Sequence, residues 1–146
     1  MSTYSFMDVQ ASIVGPGGAF SLGYGEAVAE EGITLAAASD KNTMTIGSDG
    51  EGMHSLHADK SGQVTVRLLK TAPANALLQA MYDAQSLDSR LWGKNLIAVT
   101  NSASADIGSA RSCAFKKMPD LKFAKDGDIV EWVFDSIKVD VIRGTY

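Results

Sequence analysis

The segment from Ser61 to Gln85, SGQVTVRLLKTAPANALLQAMYDAQ, changes its hydrophobic period in the middle. Up to Lys70, apolar side chains alternate with polar ones or run together, which predicts a strand. From Pro73 onward, the apolar residues recur at the spacing of a helix. Thr71 suits the N-cap, and a proline suits the first helical turn because that position needs no amide donor. The segment therefore predicts a strand that leads directly into one helix.

The predicted helix has a single apolar stripe at positions i, i+3, i+4 and i+7. The stripe consists of Ala74, Leu77, Leu78, Met81, Tyr82 and Gln85. We predict that Leu77, Leu78, Met81 and Tyr82 form the face that contacts the core. Because only one side of the helix is apolar, it should pack against a sheet rather than inside a helical bundle.

Most of the remaining chain has the alternation of strands. Residues 7–13 alternate, GPGG at 15–18 interrupts them, and Phe20, Leu22 and Tyr24 resume the pattern, which predicts a hairpin. The last strand, Ile129 to Ile142, has apolar residues on both faces: Trp132 and Phe134 on one, and Val133, Ile137, Val139 and Val141 on the other. We expect this strand to bend or to meet a partner on its second face.

The stretch between these regions, about residues 40–59, is polar and rich in glycine and aspartate. Met44 and Ile46 form a short alternating piece within it, so we predict a protruding loop or hairpin. Residues 53–58 and 63–69 flank a DKSG turn, which predicts a further hairpin.

These elements amount to about eight strands and one helix in a single domain over residues 1–146. The predicted fold is mainly β: a β-sandwich or barrel with one flanking α-helix.

Composition and charge limit the partners and the cross-links that the chain could have. The net charge of −4 argues against a protein that grips nucleic acid through phosphate contacts. The first 60 residues carry eight acidic and two basic residues, whereas the rest carry nine and eleven. This asymmetry would suit head-to-tail contacts between copies. Cys113 is the single cysteine, so no disulfide can form within the chain.

The N-terminus lacks a basic start followed by an apolar stretch, and no apolar run approaches the length of a membrane span. We therefore expect assembly in a reducing cytoplasm and no membrane insertion by this chain.

No set of residues with catalytic or metal-binding spacing stands out. On a strand, His54 and His57 would point to opposite faces, so they would not share a metal. The acidic residues and asparagine between Asp40 and Glu51 lack the spacing of a calcium loop. No phosphate-binding glycine motif is present, and Cys113 has no nearby histidine in the sequence. We expect no catalytic residues, no metal and no cofactor.

The order of these segments resembles that of the tail tube proteins of contractile-tailed bacteriophages. The resemblance rests on YSFMDVQASIVGPGG, DKNTMTIGSDGEG, the passage SGQVTVRLLKTAPANALLQAMYD, and the closing strand with EWVF and a terminal IRG. It covers nearly the whole chain and is strongest from Gly62 to Met81.

The resemblance implies a structural subunit of hexameric rings that stack into a tube around a tape measure protein. A contractile sheath would surround the tube, with baseplate and tail terminator proteins at its ends, and viral DNA would pass through the lumen without specific binding. The implied ring-to-ring contact residues are Lys41, Asn42, Thr43, Met44, Asp49 and Glu51. Tyr4 and Phe6 would contact neighbouring subunits, and the helix would cover the outer side of a sheet whose other face lines the channel. The implied location is the virion tail, after assembly in the cytoplasm of the bacterial host.

Two alternatives remain at this stage. A tube of a type VI or similar secretion system would have the same fold and order of segments. A small β-barrel hydrolase or ligand-binding domain would use the loop from Asp40 to Glu51, and would predict a monomer or dimer with a concave pocket.

Overall fold

The computed structural model describes residues 2–23 and 28–146, and only the backbone of residues 28–31. Nine strands and one α-helix occur among these residues, so the prediction of a mainly β fold with one helix is confirmed. The strands are β1 (Val9–Gly15), β2 (Gly18–Gly23), β3 (Val28–Ala37), β4 (Asn42–Ile46), β5 (Gly52–Leu56), β6 (Gly62–Leu69), β7 (Asn95–Asn101), β8 (Asp106–Phe115) and β9 (Ile129–Ile142). The helix α1 spans Ala74–Gln85, and a 3-10 turn at Phe6–Asp8 precedes β1. Tyr24, predicted to continue the second strand, lies outside the described residues.

Seven strands form one curled antiparallel sheet in the order β2-β1-β7-β8-β9-β6-β3. Strands β4 and β5 form a separate two-stranded sheet. The hairpin predicted across the DKSG turn was wrong, because β6 pairs with β3 and β9 rather than with β5. The residues Val64, Val66 and Leu68 of β6 are completely buried, so this strand requires a neighbour on each side within the core sheet.

The helix covers one face of the sheet through a stripe that is narrower than the sequence predicts. Leu78 and Met81 are buried, and Tyr82 packs against the core. The prediction was wrong for Leu77, whose side chain is 50% exposed. The buried helix residues are Leu78, Met81 and Gln85. With Ala74 they occupy positions i, i+4, i+7 and i+11, which lie along one line of an α-helix, and Leu77 lies to the side of that line.

Aromatic rings fill the space between helix and sheet. The ring of Phe115 lies 4.7 Å from that of Phe134, 5.5 Å from that of Tyr82 and 5.9 Å from that of Trp132, measured between centroids. Three of these rings come from β8 and β9 and one from α1. The contacts therefore fix the helix over the centre of the sheet.

A buried amide pair fixes the C-terminal end of the helix. Gln85 Nε2 donates to Asn95 Oδ1 at 2.7 Å and to the carbonyl oxygen of Pro16 at 2.9 Å. Asn95 Nδ2 donates back to Gln85 Oε1 at 3.1 Å. Gly15 is required here, because a Cβ atom at that position would overlap Asn95 Oδ1. The pair joins α1, the start of β7 and the β1–β2 turn.

The inward-facing positions of the last strand change phase along its length. Trp132, Phe134 and Ser136 point to the core, and further along the strand the inward position passes to Val139. The side chains of Ile137 and Val141 are exposed to solvent in the single subunit.

Candidate assembly surfaces

The β4–β5 hairpin projects from the domain as a sheet of its own. Among the described strands these two pair only with each other, from Asn42 opposite Leu56 to Ile46 opposite Gly52. The turn closes through Gly47, whose N–H donates to the carbonyl oxygen of Glu51 at 2.7 Å. Gly50 has φ of +90°, a conformation that strongly favours glycine. Local turn chemistry therefore shapes the hairpin, whose strand residues are exposed except for the partly buried Ser55.

The register divides the hairpin into two faces, one of which carries three of its four large apolar side chains. Met44, Ile46 and Leu56 lie on one face and are 59%, 55% and 81% exposed. Asn42 and His54 complete that face, while Thr43, Thr45, Met53 and Ser55 lie on the other. A two-stranded sheet is marginally stable by itself, and a projecting apolar face usually marks a contact surface.

Hydrogen bonds hold the base of the hairpin. The N–H of His57 donates to the carbonyl oxygen of Lys41 at 2.9 Å. Asp59 accepts from the N–H of Ser61 and from the hydroxyl of Ser39, each at 2.8 Å. These hydrogen bonds, those from Ser61 first, lower the pKa of Asp59 to about 2. The hairpin is thus joined to the domain by a defined base.

The predicted ring-to-ring contact residues lie at different positions on the hairpin. Lys41 and Asn42 lie at the base, Thr43 and Met44 lie on opposite faces, and Asp49 and Glu51 lie at the tip. Asp49 Oδ1 accepts from the N–H of Glu51 at 3.1 Å, which is a turn-forming hydrogen bond. The structure thus brings all six residues together on one projection.

The two histidines bind hydroxyl and amide partners. His54 Nδ1 lies 3.2 Å from Asn42 Nδ2, and His57 Nε2 lies 2.7 Å from Thr43 Oγ1. Within residues 2–23 and 28–146, no group of three or more histidine, cysteine or acidic side chains is arranged to hold a metal ion. Cys113 is buried, and desolvation raises the pKa of its thiol.

The N-terminal residues predicted to contact a neighbour pack partly on their own chain. Phe6 is half-buried and lies against Gly32, with 3.3 Å between Phe6 Cε2 and the position a Cβ would take. Tyr4 is exposed and contacts the ring of Tyr146 edge-on at a centroid distance of 6.2 Å. Phe6 therefore contributes to the fold, whereas Tyr4 presents a free ring face.

The structure also contains a C-terminal clasp that the sequence analysis missed. Asp106 Oδ1 accepts from the N–H of Gly144 at 2.6 Å, and Oδ2 accepts from the hydroxyl of Tyr146 at 3.0 Å. The Gly144 hydrogen bond, followed by that of Tyr146, lowers the pKa of Asp106. No local pattern gives this contact, because the residues lie about 40 positions apart.

Comparison with known proteins identifies the family of the chain. A family model described as "Bacteriophage PhiTE tail tube protein" matches residues 1–144. The chain belongs to this family. It is a structural subunit of a phage tail tube. A search of curated protein sequences gave no significant match.

The tail tube fold also occurs in solved structures with low sequence identity. A chain of the PVC sheath-tube complex of an extracellular contractile injection system has a TM-score of 0.57 at 12% identity, covering 92% of this chain and 88% of that one. A chain of the anti-feeding prophage tube-terminating cap has a TM-score of 0.60 at 10% identity, with coverage of 99% and 93%. A chain of the PVC sheath/tube terminator has a TM-score of 0.56 at 14% identity, with 92% coverage of both chains. At these identities the likeness establishes the shared fold.

No described helix has the length and apolarity needed to cross a bilayer.

Proposed function

We propose that this tail tube protein closes into hexameric rings, and that the β4–β5 hairpin joins each ring to the next. The observation that carries this proposal is the exposed apolar face of Met44, Ile46 and Leu56, which no strand or helix of the described chain pairs with. Burial against a second subunit would remove this face from water, and the hairpin would gain the support that an isolated two-stranded sheet lacks. Lys41, Asn42, Thr43, Asp49 and Glu51 would surround the contact.

Ring closure would satisfy the edges of the seven-stranded sheet. Strands β2 and β3 lie at its two ends and have no outer neighbour among the described strands. Such edges are liable to pair with other chains, and closure between subunits removes that liability. Tyr4, exposed beside Tyr146, would contribute to the same subunit boundary.

The face of the sheet opposite the helix suits a channel wall. It presents polar side chains such as Gln10, Ser12 and Thr65, and Gln63 donates to Asp135 at 3.2 Å. Arg67 lies on the same face and pairs with Glu131. Together with the net charge of −4, such a surface would let DNA slide without specific binding, because this cation is matched by a carboxylate. The tape measure protein would occupy the same channel during assembly.

Further partners follow from the family and the structural neighbours. The structural neighbours come from a sheath-tube complex, a sheath/tube terminator and a baseplate. We infer that this chain likewise contacts a contractile sheath, a baseplate and a tail terminator, and that it assembles in the bacterial host cytoplasm before joining the virion tail. In this role the chain acts as a scaffold, without catalytic activity, metal or cofactor.

Electron microscopy with light scattering tests the proposal. The purified chain should form rings or hollow tubes, and the mass of a ring should equal six subunits. The variant in which Gly-Gly replaces residues 42–56 should remain folded but fail to stack, since the Lys41–His57 hydrogen bond already brings the two ends together. Tubes formed by this variant would contradict the role of the hairpin. Rings of another mass would contradict hexameric closure.

A further inference from the structure

A groove lies beside the first half of α1. The connection from Lys116 to Asp128 runs past the helix and encloses this groove, which has a volume of about 960 Å³. Trp132 and Asn75 form its floor, where Trp132 Nε1 donates to Asn75 Oδ1 at 3.1 Å. This hydrogen bond joins helix and sheet under the groove and fixes its floor.

The groove and the hairpin lie at opposite ends of the same two strands. In the β6–β9 pair, Gly62 lies opposite Ser136 at the end that carries the hairpin, and Leu69 lies opposite Ile129 at the end that borders the groove. The seven residue steps between these pairs span about 23 Å at the rise of a β-strand. Copies stacked head to tail would therefore bring the hairpin of one toward the groove of the next.

The groove has apolar residues at its border that match the apolar face of the hairpin. Met118, Leu121 and Ile129 line it and are exposed. Phe123 extends the same surface, and Lys70 Nζ lies 4.2 Å from the centre of its ring. Contiguous exposed apolar side chains usually mark an interaction site, and these two surfaces would each be covered by the other.

The charges of the two regions are complementary. Residues 40–59 contain four carboxylates and one lysine, which gives a net charge of −3. The groove is lined by Lys70, Lys116, Lys117 and Lys122. Its three acidic residues are Asp120, Asp128, which pairs with Lys122, and Glu131, which pairs with Arg67, so four lysines against three carboxylates give the lining a net charge of +1. Lys116 and Lys117 form no ion pair within the described chain, so they are available to the acidic hairpin tip.

We propose that this groove is the receptor for the β4–β5 hairpin of a second copy of the chain. The inference rests on the proposed stacking function and names the surface that the hairpin occupies. The apolar face of Met44, Ile46 and Leu56 packs on Met118, Leu121 and Ile129, while Asp49 and Glu51 at the tip face Lys116 and Lys117.

Thiol capture between full-length chains tests the contact. In a Cys113→Ser background, one chain carries Met44→Cys and the other carries Leu121→Cys activated as the thionitrobenzoate mixed disulfide. A chain with activated Leu87→Cys is the matched control, because Leu87 and Leu121 are 86% and 79% exposed and Leu87 does not line the groove. The Leu121→Cys chain should release thionitrobenzoate at least about tenfold faster, since a docked pair has a higher effective thiol concentration.

Charge reversal provides the second measurement. Lys116→Glu with Lys117→Glu in every copy should prevent stacking, and adding Asp49→Lys with Glu51→Lys should restore it. Lys94→Glu, exposed and outside the groove, should leave stacking unchanged.

Two results would overturn the groove as the receptor and leave the proposed tube function intact. The first is an equal capture rate for Leu121→Cys and Leu87→Cys. The second is a lysine double variant that forms normal tubes but loses binding to the sheath protein, which would assign the groove to the sheath.

Discussion

The strands β4 and β6 have the same alternating pattern and opposite surroundings. In β6, Val64 and Val66 are completely buried in the hydrophobic core. In β4, Met44 and Ile46 alternate in the same way but are more than half exposed. The pattern therefore indicates which face requires burial, whereas the rest of the fold decides whether the same chain supplies the cover. In β6 the cover is internal, and in β4 we assign it to another copy.

The largest expected loss of stability comes from a substitution in the contact between α1 and the core. Leu78→Ala should lower the free energy of unfolding by about 2–5 kcal/mol, because it opens a cavity beneath α1. Leu77→Ala is the matched control on the neighbouring, half-exposed position and should cost less than about 1 kcal/mol. Urea unfolding of both variants measures the difference. Equal losses would mean that Leu77 also packs against the core.

The buried amide pair should give the next largest effect. Gln85→Met leaves Asn95 and the carbonyl oxygen of Pro16 without their partner, so stability should fall by about 1–3 kcal/mol. Gln79→Met, whose amide bonds exposed Asp83 and Met118, should change stability by less than about 0.5 kcal/mol. Thermal unfolding of both variants is the measurement, and a neutral Gln85→Met would refute the role of the pair.

Substitutions on the hairpin face that we assign to a contact with another copy should reduce assembly and leave folding unchanged. Met44→Ser and Met53→Ser alter side chains that are 59% and 60% exposed, on opposite faces of the hairpin. Each should change the free energy of unfolding by less than about 0.5 kcal/mol. Only Met44→Ser should reduce the yield of tubes in a sedimentation assay. A matching loss with Met53→Ser would mean that stacking does not distinguish the two faces.

A substitution of Asp59 at the base of the hairpin should have the smallest effect on stability. That effect should depend on pH. Hydrogen bonds lower the pKa of Asp59 from 3.8 to about 2, so its contribution to stability is complete above pH 3.8 and is lost as the pH falls toward 2. Asp59→Asn should therefore lose less stability than the wild type between pH 4 and 2, and Asp40→Asn serves as the control. A carboxyl titration by NMR would contradict this account if the pKa of Asp59 were near 3.8.

The sequence predicted the elements that depend on local periodicity. The passage from β6 to α1 was found because the period changes from two to 3.6 within a few residues. The polar excursion near residues 40–59 was recognised by its composition. The contact between Gln85 and Asn95 was missed, because an isolated glutamine at the end of an apolar stripe has no local sign of its partner.

Strand pairing was the least predictable part. The DKSG turn suggested a hairpin between β5 and β6, yet Val139 N–H binds the carbonyl oxygen of Lys60 and Ala38 N–H binds that of Ser61. These bonds continue the pairing of β6 with β3 and β9, which depends on the distant closing strand. The groove was missed for the same reason, since its lining comes from Lys70, α1, the connection before β9 and the start of β9.

A cryo-electron microscopy reconstruction of the assembled tube is the most direct test of the central claim, that the β4–β5 hairpin joins successive rings. The account predicts hexameric rings in which Met44, Ile46 and Leu56 are buried against a copy in the adjacent ring. A tube in which this face remains open to solvent, or in which rings meet through other surfaces, would contradict it.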